Sequence, residues 1–228
     1  MRIFILRHAE SYSNVQGKIL STTDLPLTEK GIKQAEVTKK FLHEIIGAET
    51  IEYAFCSRLL RARQTADIII KEQCDIIESD YLKEMNVGEL EGLTWVERAK
   101  KYPYIDIEKS LSCVNMPNGE NYHDVETRCK IFIKEYIIPV MTNSNILIVT
   151  HGITKRVLVN SLLNKPNEYV NYLNWCDNCS FSEIEFDIVR GVCKLVRLNE
   201  RQHLCENGLG TDNFQEWAYF ADTNYAIV

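Results

Sequence analysis

Apolar positions along this chain recur with two different periods. Short continuous runs at residues 3–6, 51–56 and 145–150 read as strands buried on both faces. Between these runs, apolar residues return every three to four positions, the spacing of helices that cover a sheet. Residues 28–47 read as a helix, with Thr28 as N-cap, Glu29 in the first turn and Gly47 as the stop. Ile32, Ala35, Leu42, Ile45 and Ile46 give that helix an apolar face. Residues 62–72 read as a second helix, and residues 124–141 as the clearest one, with Val125, Cys129, Phe132, Ile133, Tyr136, Ile137 and Val140 at helical spacing. Another helix follows the strand at 145–150 and runs to about residue 163. Residues 181–186 and 192–198 read as a late strand pair with a turn at Arg190-Gly191.

Strand alternating with helix predicts an α/β fold, a three-layer α/β/α sandwich with a mostly parallel central sheet and helices on both faces. The alternation breaks at about residues 93–122, where Pro103, Pro117 and Gly119 mark an insertion expected to lie over a site. Residues 1–204 are expected to form a single domain. Residues 205–228 read as an acidic, aromatic C-terminal extension without Lys or Arg, carrying Glu206, Asp212, Glu216 and Asp222 among Phe214, Trp217, Tyr219, Phe220 and Tyr225. A chain of 228 residues suits one domain with such elaborations.

Composition narrows the partners. A formal net charge of −6 argues against a nucleic-acid binder or an acidic-membrane binder, because both partners repel an acidic protein. An anionic small molecule remains a suitable ligand if arginines cluster locally. No run approaches a membrane span, and the apolar stretch at residues 1–7 is too short for a secretory leader, so the expected location is cytoplasmic. The eight cysteines are scattered and read as reduced thiols. Cys176 and Cys179 have C-x-x-C spacing, but a zinc site would want a second pair or nearby histidines, so they read as ordinary thiols. No metal and no cofactor is expected.

Ligands of open parallel sheets bind beyond the carboxyl ends of the strands. Arg7 and His8 follow the first strand, Ser57, Arg58 and Arg61 the second, and His151 and Gly152 the strand ending at Thr150. Guanidinium forks match phosphate oxygens. A neutral imidazole is a competent nucleophile toward phosphorus, and a second imidazole can stabilise the charge that develops on the oxygens. The helix after Gly152 would aim backbone N–H groups at an anion. The chemistry that suits this set is phosphoryl transfer.

These residues sit in motifs. Leu6-Arg7-His8-Ala9-Glu10-Ser11 with Asn14 resembles the signature of the histidine phosphatase superfamily, also called phosphoglycerate mutase-like. The resemblance continues in order through residues 24–31, Gln34-Ala35, residues 57–66, Glu84 with Gly88 and Gly92, Thr150-His151-Gly152, Leu198-Asn199 and His203-Leu204. It implies that His8 is the phosphoryl-accepting nucleophile. It implies that Glu84 first protonates the leaving oxygen and then activates water. It also implies that His151, Arg7, Arg61, Asn14, Ser21 and Gly152 form the phosphate and substrate contacts. The family usually has Gly where this chain has Ala9; a positive φ there would strain the site. Residues 116–121 resemble the Pro-Gly-Glu turn of phosphatase members, which favours a phosphatase over a cofactor-dependent phosphoglycerate mutase. A non-catalytic phospho-ligand binder ranks below both, since the nucleophile, acid and arginines are all present. The expected partner is a small phosphorylated substrate, with a phosphoprotein also compatible; a monomer and a homodimer are equally open. Arg58 and Arg63 read as solvated or ion-paired, Glu10, Asp24 and Thr28 as structural, and Tyr122 and His123, at the end of the insertion, as local packing or as substrate contacts.

Overall fold

A computed structural model describes residues 1–106, 110–141, 144–187 and 189–210. Six strands, β1 (Arg2–Arg7), β2 (Ile51–Ser57), β3 (Ile76–Ser79), β4 (Asn145–Thr150), β5 (Phe181–Asp187) and β6 (Val192–Glu200), form one sheet in the order β3-β2-β4-β1-β5-β6. The first four run parallel; β5 and β6 add an antiparallel hairpin beside β1. The helices are α1 (Tyr12–Val15), α2 (Glu29–Ile46), α3 (Leu60–Ile70), α4 (Trp95–Lys101), α5 (Tyr122–Phe132), α6 (Gly152–Leu162) and α7 (Gln202–Glu206). This is the α/β/α sandwich around a mostly parallel sheet that the strand–helix alternation predicts.

Two cores explain the continuous apolar runs. Ile3 and Ile5 of β1 pack with Ile146 and Ile148 of β4 under α5 and α6, while Phe4 and Leu6 pack with Leu147 and Val149 under α2 and α3. A strand sandwiched in this way needs an apolar residue at every position, which removes the alternation seen when one face meets water. Each such side chain contributes about 1.5–3 kcal/mol through burial.

Details depart from the sequence reading. Strand β3 is not anticipated: it has only four residues, lies at the sheet edge and exposes Ile77 and Glu78, so no buried pattern marks it. Thr28 caps α2 as expected, accepting from the Gly31 N–H at 3.0 Å. The buried stripe of α2, however, runs through Gly31, Gln34, Ala35, Thr38, Leu42 and Ile46, so Ile32 falls one position off the core and is 42% exposed. Helix α3 begins at Leu60, two residues before the expected start. The expected helix at 124–141 begins at Tyr122, widens to a π turn at Ile133–Ile137 and tightens to a 3₁₀ turn at Ile138–Val140. Pro139 accounts for the end of regular α geometry, because it has no N–H to donate and its ring crowds the preceding turn.

The 93–122 insertion joins the main core through Tyr102, Ile105, Leu111, Val114 and Met116. Its turn presses against residues 86–88: a Cβ on Gly119 would stand 2.4 Å from the Asn86 carbonyl oxygen. Gly88, at φ +55°, faces the Pro117 carbonyl just as closely. This approach lets Glu120 accept from the Asn86 N–H at 2.7 Å, two residues from Glu84. Beyond residue 210 the expected C-terminal extension lies outside the described residues. Among the described residues no helix is long and apolar enough to cross a membrane.

Strand order sets the site. β4 lies between β1 and β2, with Arg7 opposite Thr150 and Cys56 opposite Val149. His8, His151 and Ser57 therefore leave the sheet side by side, although 143 residues separate the two histidines in sequence (8 to 151).

Candidate active site

His8 and His151 stand at the carboxyl edge of the sheet with ring centroids 5.0 Å apart. The His8 backbone N–H donates to the Thr150 carbonyl at 2.8 Å, tying the end of β1 to β4. On the imidazole, Nδ1 lies 2.7 Å from the Ala9 carbonyl oxygen, which can only accept, so Nδ1 carries the proton. The lone pair is then on Nε2, and Arg61 Nε donates to it at 3.2 Å. Burial, followed by the charges of Arg61 and Arg7, holds the His8 pKa well below the usual imidazole value, against a smaller opposing pull from the Ala9 carbonyl. His8 is thus neutral near pH 7, with its free nitrogen among guanidinium groups. Ala9 is fully buried, its φ is not positive, and its N–H donates to Thr65 Oγ1 at 3.0 Å. The methyl group in place of the family's usual glycine hydrogen causes no backbone strain.

His151 is the N-cap of α6 and fully buried. Ser57 Oγ lies 2.8 Å from its Nε2 and accepts from the Leu59 N–H at 3.3 Å. Ser57 can then donate its own proton to Nε2, which leaves Nδ1–H of His151 as a donor. That Nδ1 is buried without a partner among the described residues, and so is Arg7 Nε. Burial and then the Arg61 charge also hold His151 well below the usual value, so a neutral donor rather than a cation faces the site.

Both arginines are held from behind. Arg7 Nη1 donates to the Cys176 carbonyl at 2.6 Å, and its guanidinium lies over Trp175, 5.4 Å from the ring centroid. Arg61 is 2% exposed and donates to the Thr23 and Ser21 carbonyls at 3.0 and 2.8 Å. Ser21 therefore enters the site through its backbone. Its hydroxyl donates to Glu91 at 2.7 Å and accepts from the Val87 N–H at 3.2 Å. Asn14, third residue of α1 and the partner of Ser11 in its capping box, accepts from Ser11 N–H and Oγ–H at 2.9 and 3.0 Å and from Asn178 Nδ2 at 3.2 Å. What Asn14 has left to offer a substrate is its amide N–H₂. At Gly152 a Cβ would meet the Trp175 ring at 3.2 Å, so the missing side chain is what lets the indole close on Arg7 and α6.

Glu84 occupies the start of α6. Oε2 accepts from the Ile153 N–H at 3.2 Å; Oε1 accepts from Thr154 N–H at 3.2 Å, Thr154 Oγ1 at 3.3 Å and Met85 N–H at 2.9 Å. The anion that this helix start receives is thus the Glu84 carboxylate, a correction to the expectation that it points at phosphate. Thr154 is braced in turn by Arg128, which also pairs with Glu120 at 2.9 Å.

Several participants escape a sequence reading. Glu91 gathers the loop at 21–23, accepting from the N–H and hydroxyl of Ser21 (2.9 and 2.7 Å) and of Thr23 (3.0 and 2.7 Å). Burial pushes its pKa up, but these donors outweigh it and hold the carboxyl below the usual range. The clasp forms above the ordinary glutamate range and is lost as pH falls through that depressed value. Glu91→Gln keeps the size and loses one acceptor edge, so the carbonyls that aim Arg61 loosen. KM for a phosphate ester is expected to rise about tenfold with a smaller change in kcat, as for a weakened charged hydrogen-bond set. Steady-state kinetics check this; an unchanged KM would show that Arg61 does not depend on the clasp.

The other unforeseen element is the turn at 176–180. Cys179 N–H reaches the Arg7 and His8 carbonyls at 3.2 Å each, and Asn178 Nδ2 donates to the His8 carbonyl at 3.0 Å. The C-x-x-C spacing thus belongs to a turn under the nucleophile, and both thiols are free. Arg58 and Arg63 face outward in ion pairs with Asp80 and with Asp67 and Glu78. Glu10 accepts from Thr28 Oγ1 at 2.8 Å. Asp24 accepts from the Leu60 N–H at 2.7 Å, and Tyr122 packs against Asn160. None of these five joins the anion-facing set.

Comparison with known proteins gives the family and the fold. The family model of the histidine phosphatase superfamily (branch 1) matches residues 3–201. The chain is 32% identical over 167 residues, 70% of its length and 74% of the relative's, to a 2,3-bisphosphoglycerate-dependent phosphoglycerate mutase of Gloeobacter violaceus. It is 28% identical over 211 residues, 90% of its length and 95% of the relative's, to phosphoserine phosphatase 1 of Hydrogenobacter thermophilus. Among solved structures it resembles the alpha-ribazole phosphatase of Shigella flexneri, with a TM-score of 0.73 and 26% identity over 88% of this chain and 96% of that one.

Proposed function

This chain belongs to the histidine phosphatase superfamily (branch 1), and we propose that it hydrolyses a small phosphate monoester through a phosphohistidine on His8. The observation that carries the reading is the neutral His8 imidazole with its Nε2 lone pair beside Arg61, next to two residues, Arg7 and His151, whose buried Nε and Nδ1 have no hydrogen-bond partner among the described residues. A phosphoryl group seated there meets guanidinium and imidazole N–H on its oxygens and a nucleophile at phosphorus.

In the first step His8 Nε2 forms a bond to phosphorus as the ester P–O bond breaks. Glu84, in its protonated form, gives its proton to the departing oxygen, and the alcohol leaves. In the second step the Glu84 carboxylate takes a proton from water, the water oxygen bonds to phosphorus, the N–P bond breaks, and inorganic phosphate and neutral His8 are restored. Arg7 and Arg61 supply the positive charge and His151 a neutral N–H, so the proposed route uses no metal and no cofactor. The free thiols suit a reducing compartment and support a cytoplasmic location.

Phosphoglycerate mutase chemistry is the second reading, favoured by the Gloeobacter violaceus relative. The alpha-ribazole phosphatase and phosphoserine phosphatase likenesses support hydrolysis. Incubation with an aryl phosphate in EDTA is expected to release phenol and inorganic phosphate in equal amounts at the rate seen without chelator. Loss of turnover in EDTA with recovery on added magnesium would overturn the metal-free route. Rapid conversion of 3-phosphoglycerate to 2-phosphoglycerate that depends on 2,3-bisphosphoglycerate, with little free phosphate, would establish the mutase instead.

A further inference from the structure

Lys155 is a buried cation that the mechanism above does not use. It lies in α6, four residues after His151, and is 1% exposed. Its Nζ donates to the Ser180 carbonyl at 3.0 Å and approaches Ser180 Oγ at 3.5 Å. Among the described residues no carboxylate pairs with it; Asp177, in the same turn, is engaged with Arg201. Burying an ammonium without an anion is costly, and an apolar side chain would fill the same space at less expense. The position calls for a reason.

The partner supplies one. The Ser180 carbonyl that receives Lys155 also accepts the Arg7 N–H at 3.1 Å. Ser180 closes its turn by donating its N–H and hydroxyl to the Asp177 carbonyl at 3.2 and 2.8 Å. That turn delivers the Cys176 carbonyl to Arg7 Nη1 and the Cys179 N–H to the Arg7 and His8 carbonyls. It does so with Cys179 at φ +60°, a left-handed conformation that a non-glycine residue adopts only where its surroundings enforce it.

We propose that Lys155 is a positioning residue for phosphate binding: its ammonium clamps the 176–180 turn onto Arg7 and His8 and adds buried positive charge behind them. The proposal rests on the phosphate-ester reading of the site and extends it. In a low-dielectric interior one such charge strengthens a bound dianion more than any surface lysine would.

The titratable and charged groups that face Lys155 are Arg7 from β1 and Cys176, Asp177 and Cys179 from the turn. Burial pulls its pKa down to about 8, with Cys176 opposing, Arg7 adding to the fall, and Cys179 and Asp177 opposing weakly. The cation is therefore present at neutral pH and lost as pH rises through that value, so the clamp and the added charge should fade in the alkaline range. A bound phosphate dianion raises this pKa, and binding there should draw in a proton.

Calorimetric binding of inorganic phosphate to the full chain tests this, using wild type, K155R and K155M at about pH 7 and about pH 9, where linkage separates the lysine forms. Wild type is expected to weaken several-fold more than K155R between the two pH values, because a guanidinium keeps its charge throughout. K155M is expected to bind about tenfold more weakly than wild type at the lower pH and to match it at the higher one, as loss of one buried charge dictates. Parallel weakening of wild type and K155R overturns the proposal, as does K155M binding like wild type at neutral pH with only a lowered Tm. Should K155M fail to fold, the K155R comparison decides alone. Because the readout is binding, absent aryl phosphate turnover would count against the hydrolytic reading and leave the positioning test standing.

Discussion

Replacing His8 with asparagine is expected to lower kcat/KM for an aryl phosphate by about 10⁴-fold or more, the scale on which loss of a covalent nucleophile is felt. Asparagine retains a polar group of similar reach near the Ala9 carbonyl and Arg61, so the fold and anion binding should persist. Wild-type protein quenched during turnover of a ³²P-ester should carry label that is stable to base and released by acid, as a phosphoramidate is, and H8N should carry none. Near-wild-type turnover by H8N, or base-labile label of the kind a carboxyl phosphate gives, would remove His8 from the nucleophile's role. The pH profile adds a signature. Both His8 and His151 are held well below the usual imidazole value, chiefly by burial and then by Arg61, so both are neutral at pH 6–7. A fall in activity between pH 7 and pH 6, where an ordinary histidine would protonate, is not expected from either residue.

His8 and His151 were legible in the sequence for a physical reason. Each follows a short, fully apolar run, and such runs are buried central strands whose carboxyl ends face ligands. Arg7 and Arg61 follow from the same logic. The strand order was not legible. Nothing in the local pattern says that β4 inserts between β1 and β2, yet that insertion is what puts Ser57 Oγ 2.8 Å from His151.

Glu91 was invisible for a related reason. It lies 70 residues from Ser21, and its function is to satisfy donors that only tertiary structure brings to it. The 176–180 turn offers the sequence only its C-x-x-C spacing, a local signal that reads as ordinary thiols, whereas its contacts to Arg7 and His8 are long-range. Helix α2 shows the limit of periodicity itself: the sequence marks the cap at Thr28, but the apolar pattern misplaces the buried face by one position at Ile32, because Gly31, Gln34 and Thr38 are buried without being hydrophobic. Burial there follows close packing: a Cβ on Gly31 would stand 1.9 Å from the Glu10 carbonyl oxygen.

Glu84→Gln separates the two halves of the proposed reaction. The amide keeps an oxygen where Oε1 accepts from Met85, Thr154 N–H and Thr154 Oγ1, and loses only the acceptor facing the Ile153 N–H at 3.2 Å. The site should therefore hold its shape while losing the proton that it passes. For an alkyl phosphate, whose alkoxide leaves poorly without a proton, kcat/KM is expected to fall by about 10²–10⁴-fold, the usual worth of general acid catalysis. For an aryl phosphate with an acidic phenol, protonation matters little, and kcat/KM should fall far less. The second step still needs Glu84 to activate water, so the phosphoenzyme should accumulate with the aryl substrate. Stopped-flow traces of E84Q are then expected to show a burst of phenol close to one per protein chain, followed by slow turnover, where wild type shows none. Equal losses for both leaving groups without a burst would mean that Glu84 holds the start of α6 and transfers no proton. A different acid would then have to be sought among the groups facing the ester oxygen.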